Sequence, residues 1–251
     1  MNTSSWTRRA EFWRGMRDTV PLVVGAVPFG IIFGAVAVSS GVAAGGETAR
    51  QLSPLAAQSM SLFVYAGASQ FIAAELVRNS AGVLVVIFTT LIVNLRHALY
   101  SASLAPYLHG FPQHWLLPLG FTLTDETFVV SIARYQQADA SPYKHWYQAG
   151  SAVLMYSSWQ LCTLIGILAG RSVPAEQVAR LGLSFAATVT FIGMLIPLIR
   201  SRALLVAVVA AGAASVLFNG LPSRLGLLAA ALVGIAAGML AERTKVEITH
   251  G

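Results

Sequence analysis

Apolar residues in this chain come in long uninterrupted blocks rather than in alternation. Eight blocks stand out, at 19–41, 54–77, 81–105, 115–133, 146–169, 178–199, 203–219 and 224–241. Most approach the ~20 residues that an α-helix needs to cross a bilayer, and the block at 203–219 is near the lower limit. Period-two alternation is absent, which excludes a transmembrane barrel, and lipid admits only helices or closed barrels. The pattern therefore predicts an all-α polytopic transmembrane bundle of about eight spans. The connecting segments are short, so residues 1–251 form a single integral membrane domain without a separate soluble one.

Charge sharpens this picture. Only 10% of residues are charged, against about 25% in soluble domains, and mean hydropathy is +0.68. The net charge of +6 would suit nucleic acid. The basic residues lie at block ends, however, and no aromatic–basic stripe accompanies them. They orient helices instead. With the N-terminus inside, Arg8, Arg9, Arg14, Arg17, Arg78, Arg134, Lys144, Arg200, Arg202, Arg243 and Lys245 fall on the cytoplasmic side. Arg50, Arg171, Arg180 and Arg224 fall outside, so both termini are expected in the cytoplasm. The start, "MNTSSWTRRAEFWRGMRDTVP", lacks an early apolar core and reads as an interfacial lead-in rather than a signal peptide. The single cysteine, Cys162, rules out a disulfide within the chain and a cysteine metal cluster. No cofactor or metal is expected, and His109 and His114, read into an outer loop, are poorly spaced for one.

A faint echo relates "RNSAGVLVVIFTTLIVNL" (78–95) to "RSRALLVAVVAAGAASVL" (200–217). It suggests two structural repeats, 19–134 and 146–241, a common transporter plan.

Candidate chemistry lies inside the blocks. Pro28, with Gly30 nearby, weakens the first span, and "YAGASQF" puts Gly67, Ser69 and Gln70 in the middle of the second. Both read as broken helices whose free backbone groups face a cavity. In the third span, Asn94, His97 and Ser101 share one helix face, flanked by Arg96, Tyr100 and Ser103. Lipid will not face that stripe. The fourth span carries Asp125 and Glu126 near its centre, with Thr122 one turn earlier on the Glu126 face. Buried charges need partners, so Arg96 is expected to pair with one acid, leaving the other free to carry a proton. Ionisable residues at such depth mark pathways or relays more often than fixed struts. Glu75 and Arg78 are expected to form a surface pair.

These segments resemble the AzlC family of branched-chain amino acid exporters. The likeness rests on "GAVPFGIIFGAVAVSSG" (25–41), "SLFVYAGASQFIAAEL" (61–76), "NLRHALYSASLAPYL" (94–108) and "LTDETFVV" (123–130), in this order. It implies a bacterial plasma-membrane permease exporting valine, leucine or isoleucine. It also implies a separately encoded small hydrophobic subunit of the AzlD or YgaH kind. For such a zwitterion, backbone around Pro28–Gly30 and Gly67–Gln70 could supply polar partners, with Asn94 beside them. Phe29, Phe63 and Phe71 are the candidate apolar slot, and Arg96, His97, Asp125 and Glu126 the candidate coupling or gating cluster. Export of another small solute is the alternative. An intramembrane enzyme is the distant one, because no Gly-x-Ser-x-Gly elbow or His-Glu-x-x-His occurs.

Overall fold

The computed structural model describes residues 6–39, 50–139, 141–172, 199, 201–218 and 225–250. Among these every regular element is a helix: α1 (Arg8–Val38), α2 (Pro54–Phe63), α3 (Gly67–Arg78), α4 (Val83–Leu108), α5 (Gln113–Phe121), α6 (Asp125–Tyr135), α7 (Lys144–Ser172), α8 (Arg202–Leu217) and α9 (Leu225–His250). Three of the described helices, α1, α4 and α7, are long and apolar enough to cross a membrane. The expected span at 178–199 lies almost wholly outside the described residues, so the second expected repeat has no continuous structure to compare.

Helices α1 and α7 pack side by side in parallel, because glycines remove the side chains that would hold them apart. A Cβ on Gly15 would lie 2.0 Å from the Tyr147 carbonyl oxygen, and one on Gly150 equally close to that of Phe12. Further along, a Cβ on Gly34 would meet the Thr163 carbonyl at 2.2 Å, and one on Gly166 that of Ile31 at 2.1 Å. Contacts rise together along both chains, so the two run in the same direction. The expected break at Pro28 is absent. α1 is continuous through Pro21 and Pro28, both on its exposed side, away from the α7 seam.

The blocks at 54–77 and 115–133 do not cross. Each folds back at its middle as a helical hairpin. α2 starts beside the end of α1, where the Leu52 amide donates to the Ala37 carbonyl (2.9 Å). It descends antiparallel to α7 until the Tyr156 hydroxyl donates to the Leu62 carbonyl at 3.0 Å. The chain turns at 64–66, and α3 returns to the end of α1, where Arg78 Nη1 donates to the Val36 carbonyl at 3.2 Å. The α5–α6 hairpin enters from the opposite end. Trp115 packs on His145 and Trp146 at the start of α7, and Phe121 reaches Tyr156 near its middle. α6 then descends parallel to α4, as Tyr100 stacks on Phe128 (4.5 Å) and Tyr107 on Tyr135 (5.5 Å). Ten and twelve residues in α2 and α3, and nine and eleven in α5 and α6, give legs of about 14–18 Å. That is half of a ~30 Å hydrocarbon layer.

This topology moves residues between ends. Arg78 lies at the end opposite the N-terminus, where it makes the expected pair with Glu75 and is itself buried against the final carbonyls of α1. Its guanidinium is 4.0 Å from a largely exposed Glu75. His109 and His114, read into an outer loop, lie instead at the N-terminal end with the start of α7. α8 and α9 pack antiparallel on a small-residue seam, with Gly234 against Ala211 and Gly238 against Ala207.

One core cluster forms between α1, α2, α3 and α7 around Phe33 and Phe71, whose rings meet edge to face at 5.7 Å. A second joins α4 to the α5–α6 hairpin through Leu104, Leu123 and Tyr135.

Candidate functional site

The tips of the two hairpins approach from opposite ends and meet beside the middle of α7. Tyr65 at the first tip lies 6.4 Å from the ring of Phe121 at the second, and 4.8 Å from Tyr156 between them. Tyr65 adopts φ +44°, a left-handed backbone that is costly for an aromatic residue and is held here by the surrounding contacts. Two helix N-termini, of α3 and of α6, begin at these tips. Each carries a partial positive charge and unpaired amides.

The two N-termini are finished differently. α6 is closed by its own residues: Thr124 Oγ1 accepts from the Thr127 amide, Thr127 Oγ1 accepts from the Thr124 amide, and Asp125 and Glu126 sit in the first turn. α3 begins at Ala66 without a side-chain cap, so the amides of its first turn have no side-chain acceptor. Nearby, the buried Tyr65 hydroxyl and Arg96 Nε also have no acceptor among the described residues.

Of the two acids, Asp125 is the one that pairs with Arg96. Asp125 binds Arg96 Nη1 through Oδ2 at 2.7 Å and accepts the Tyr100 hydroxyl on Oδ1 at 2.6 Å. Glu126 has no ion-pair partner among the described residues, although it lies within electrostatic reach of both Arg96 and Tyr65. The sequence placed both acids and Thr122 on one continuous helix; in fact the helix breaks at 122–124, and Thr122 ends α5. Arg96 is near the middle of α4, so the pair is at mid-depth and not at the rim.

The other candidates take separate places. Ser69 donates to Asn94 Oδ1, tying α3 to α4 at the same level. Gln70 is fully buried and occupied at both ends: Nε2 donates to Ser61 Oγ (2.8 Å) and Oε1 accepts from Trp159 Nε1 (3.1 Å). It holds the hairpin together. Gly67 lets the chain pass the Trp159 ring, which a Cβ would approach to 3.0 Å. His97 lies on α4 with its ring 6.0 Å from Tyr100. Gly30 packs on Cys162, Phe29 on the Phe33–Phe71 core, and Pro28 is exposed on the far side of α1. No phenylalanine slot forms from Phe29, Phe63 and Phe71, because Phe63 is 76% exposed and Phe71 is core.

The sequence reading missed the contribution of α7. Tyr156, Trp159, Gln160 and Thr163 anchor the first hairpin, with Gln160 Nε2 donating to the Ser61 carbonyl and accepting from Gln58 on Oε1. The signal was present as "MYSSWQLCT" (155–163), a polar run in the middle of an apolar block.

Residues 21–173, which hold both hairpins, α4, α7 and the second part of α1, match the family described as "AzlC protein". The chain belongs to the AzlC family. A protein of Archaeoglobus fulgidus called "Uncharacterized membrane protein" is 32% identical, over 92% of this chain and 95% of its own. The "Inner membrane protein YgaZ" of Escherichia coli is 29% identical over 68% of this chain and 67% of that protein. The "Branched-chain amino acid transport protein AzlC" of Bacillus subtilis is 27% identical over 74% and 68%. No solved structure matches. The AzlC-family chain is thus a membrane transport protein whose matched region is the part built around the opposed hairpins.

Proposed function

We propose that this protein exports branched-chain amino acids through a site at the meeting point of the two hairpins. The observation that carries the reading is the unequal pair of helix N-termini at mid-depth. A zwitterion needs donors for its carboxylate and an acceptor for its ammonium. The uncapped first turn of α3, with the Tyr65 hydroxyl and Arg96 Nε, supplies donors. Glu126, free of an ion-pair partner among the described residues, supplies the acceptor. Half-helices whose N-termini face an anionic substrate group are a recurrent transporter device.

In this reading Asp125 stays bound to Arg96 and Tyr100 and fixes α4 against α6. Glu126 alternates between substrate ammonium and a proton, which couples export to protons. The two hairpins are the moving parts, since each is held to α7 by a few side-chain bonds and not by a continuous span. The N-terminal end is cytoplasmic. Among the described residues up to 172, Arg8, Arg9, Arg14, Arg17, Arg134 and Lys144 lie toward that end, against Arg50, Arg78 and Arg171 toward the other, and this bias supports the orientation. The membrane is the bacterial plasma membrane, and a small hydrophobic subunit of the AzlD or YgaH kind completes the transporter.

The test is efflux of radiolabelled leucine from loaded membrane vesicles, with and without the small subunit co-expressed. Competition by valine and isoleucine but not by lysine or glutamate is expected. Efflux that a different solute class competes for, and leucine does not, would replace the substrate assignment. Unaltered pH dependence of efflux in Glu126→Gln would sink the proton coupling.

A further inference from the structure

A cavity of about 400 Å³ separates α4 from α5 on the N-terminal side of the hairpin tips. Its walls are mostly leucine: Leu104 and Leu108 of α4, Leu116 and Leu119 of α5, and Leu123 from the second tip. The volume lies in the range of small-ligand pockets. Its polar groups are few and placed on two sides. Ser101 Oγ, on α4, makes no hydrogen bond among the described residues and is exposed to the space. Gln148, on α7, is 2% exposed; its Oε1 accepts the Tyr135 hydroxyl at 3.0 Å, while Nε2 has no acceptor among the described residues. His109 and Gly110, in the turn after α4 at the N-terminal end, complete the lining.

The cavity is continuous along the chain with the central site. Ser101 follows Tyr100, which binds Asp125, and Leu123 precedes Asp125 by two residues. On α4, Ser101, Leu104, Ala105 and Leu108 extend the face of Asn94 and His97 toward the N-terminal end, at helical spacing. A stripe that is polar at mid-depth becomes leucine-rich below it.

We propose that this cavity is a vestibular binding site for an aliphatic amino acid, occupied before the substrate reaches the hairpin tips. The leucines receive the side chain, and Gln148 Nε2 and Ser101 Oγ bind the carboxylate. Larger charged side chains are rejected because the walls hold no countercharge. The proposal rests on the transport reading above and adds to it a second, earlier subsite, toward the N-terminal end.

The test uses the full-length protein in proteoliposomes, with Cys162→Ala removing the native thiol and Gly120→Cys, where a Cβ meets nothing within 4 Å, placing one at the cavity wall. Maleimide labelling of this cysteine is followed with and without leucine, and efflux of the same leucine is measured in the same vesicles. At leucine tenfold above its dissociation constant, occupancy slows labelling about tenfold, and lysine does not. Ala105→Phe, which fills the space from an exposed position, removes the protection while leaving thermal stability unchanged. Leucine efflux without protection of the cysteine would overturn the vestibule and leave the transport reading standing. Labelling that ignores leucine but slows with added phospholipid would mark the cavity as a lipid cleft and overturn it as well. Absence of leucine efflux from the wild type would remove the transport reading and the vestibule with it.

Discussion

Replacing Glu11 with alanine tests how this fold is closed at its N-terminal end. Glu11 and Arg134 are each 1% exposed, and they join the start of α1 to the end of α6. Arg134 Nε donates to Glu11 Oε2 at 3.0 Å, Nη2 donates to Oε1, and the Ser141 hydroxyl donates to Oε1 at 3.0 Å. Arg134 Nη1 turns the other way, to Asp139 at 2.6 Å and Gln137 at 3.2 Å. Alanine at position 11 leaves two guanidinium donors and one hydroxyl buried without an acceptor. Breaking a buried pair by removing one partner costs about 3–5 kcal/mol. Asp139 remains on the guanidinium, and Trp6 stacks 5.3 Å from it. The cost is therefore set at the lower end, about 3 kcal/mol. At about 2–4 °C per kcal/mol for a chain of this size, Tm falls by about 6–12 °C. Tryptophan-detected thermal unfolding in detergent measures it. The double variant Glu11→Ala/Arg134→Met should be more stable than the sum of the singles predicts, because it no longer buries a lone charge. A shift below about 2 °C, or strict additivity, would refute the reasoning.

Three further outcomes follow from other parts of the molecule. Gly34→Val drives a side chain into the Thr163 carbonyl, 2.2 Å from the Cβ position, and should abolish folded protein as judged by size-exclusion profile; the same change at Gly25, with nothing within 4 Å, should be tolerated. Burial alone would raise the Asp139 carboxyl, but hydrogen bonds from Arg134, the Ser141 amide and Lys144 outweigh it and hold it below the ordinary range. Its stabilisation is complete above the unfolded value of about 3.9 and fades as pH falls through the depressed folded value, so Tm should drop below about pH 4, less so in Asp139→Asn. Tyr156→Phe removes the hydroxyl bond to the Leu62 carbonyl and should lower stability by about 1 kcal/mol while loosening the 64–66 turn to hydrogen exchange.

Helix content, membrane character and the Arg96–acid pairing were legible in the sequence because each follows from local composition. Long apolar blocks can only be helices in lipid, and a mid-block arginine demands a carboxylate. Hairpin versus span was not legible from block length. Residues 54–77 are as apolar as a true span, and what folds them back is the Tyr65 backbone together with anchors on α7, more than ninety residues away in sequence. The second break did have a local sign. "TLTDET" (122–127) places a threonine before two acids, the pattern of a helix start, and only its apolar flanks argued for continuity. Pro28 misled in the other direction, since a proline on the exposed side of a helix held by a glycine seam bends nothing that the seam cannot hold. The Glu11–Arg134 pair could not be read at all, because 123 residues separate its members and either could have been solvated at a block end.

Leucine binding to the purified protein tests the site at the hairpin tips most directly. The wild type and Glu126→Gln are compared by isothermal titration, with Tm as the control for folding. A lost charge-assisted bond of about 1.5–3 kcal/mol corresponds to affinity weaker by about 10–100-fold, with Tm little changed. Equal affinity in the two proteins would contradict the account.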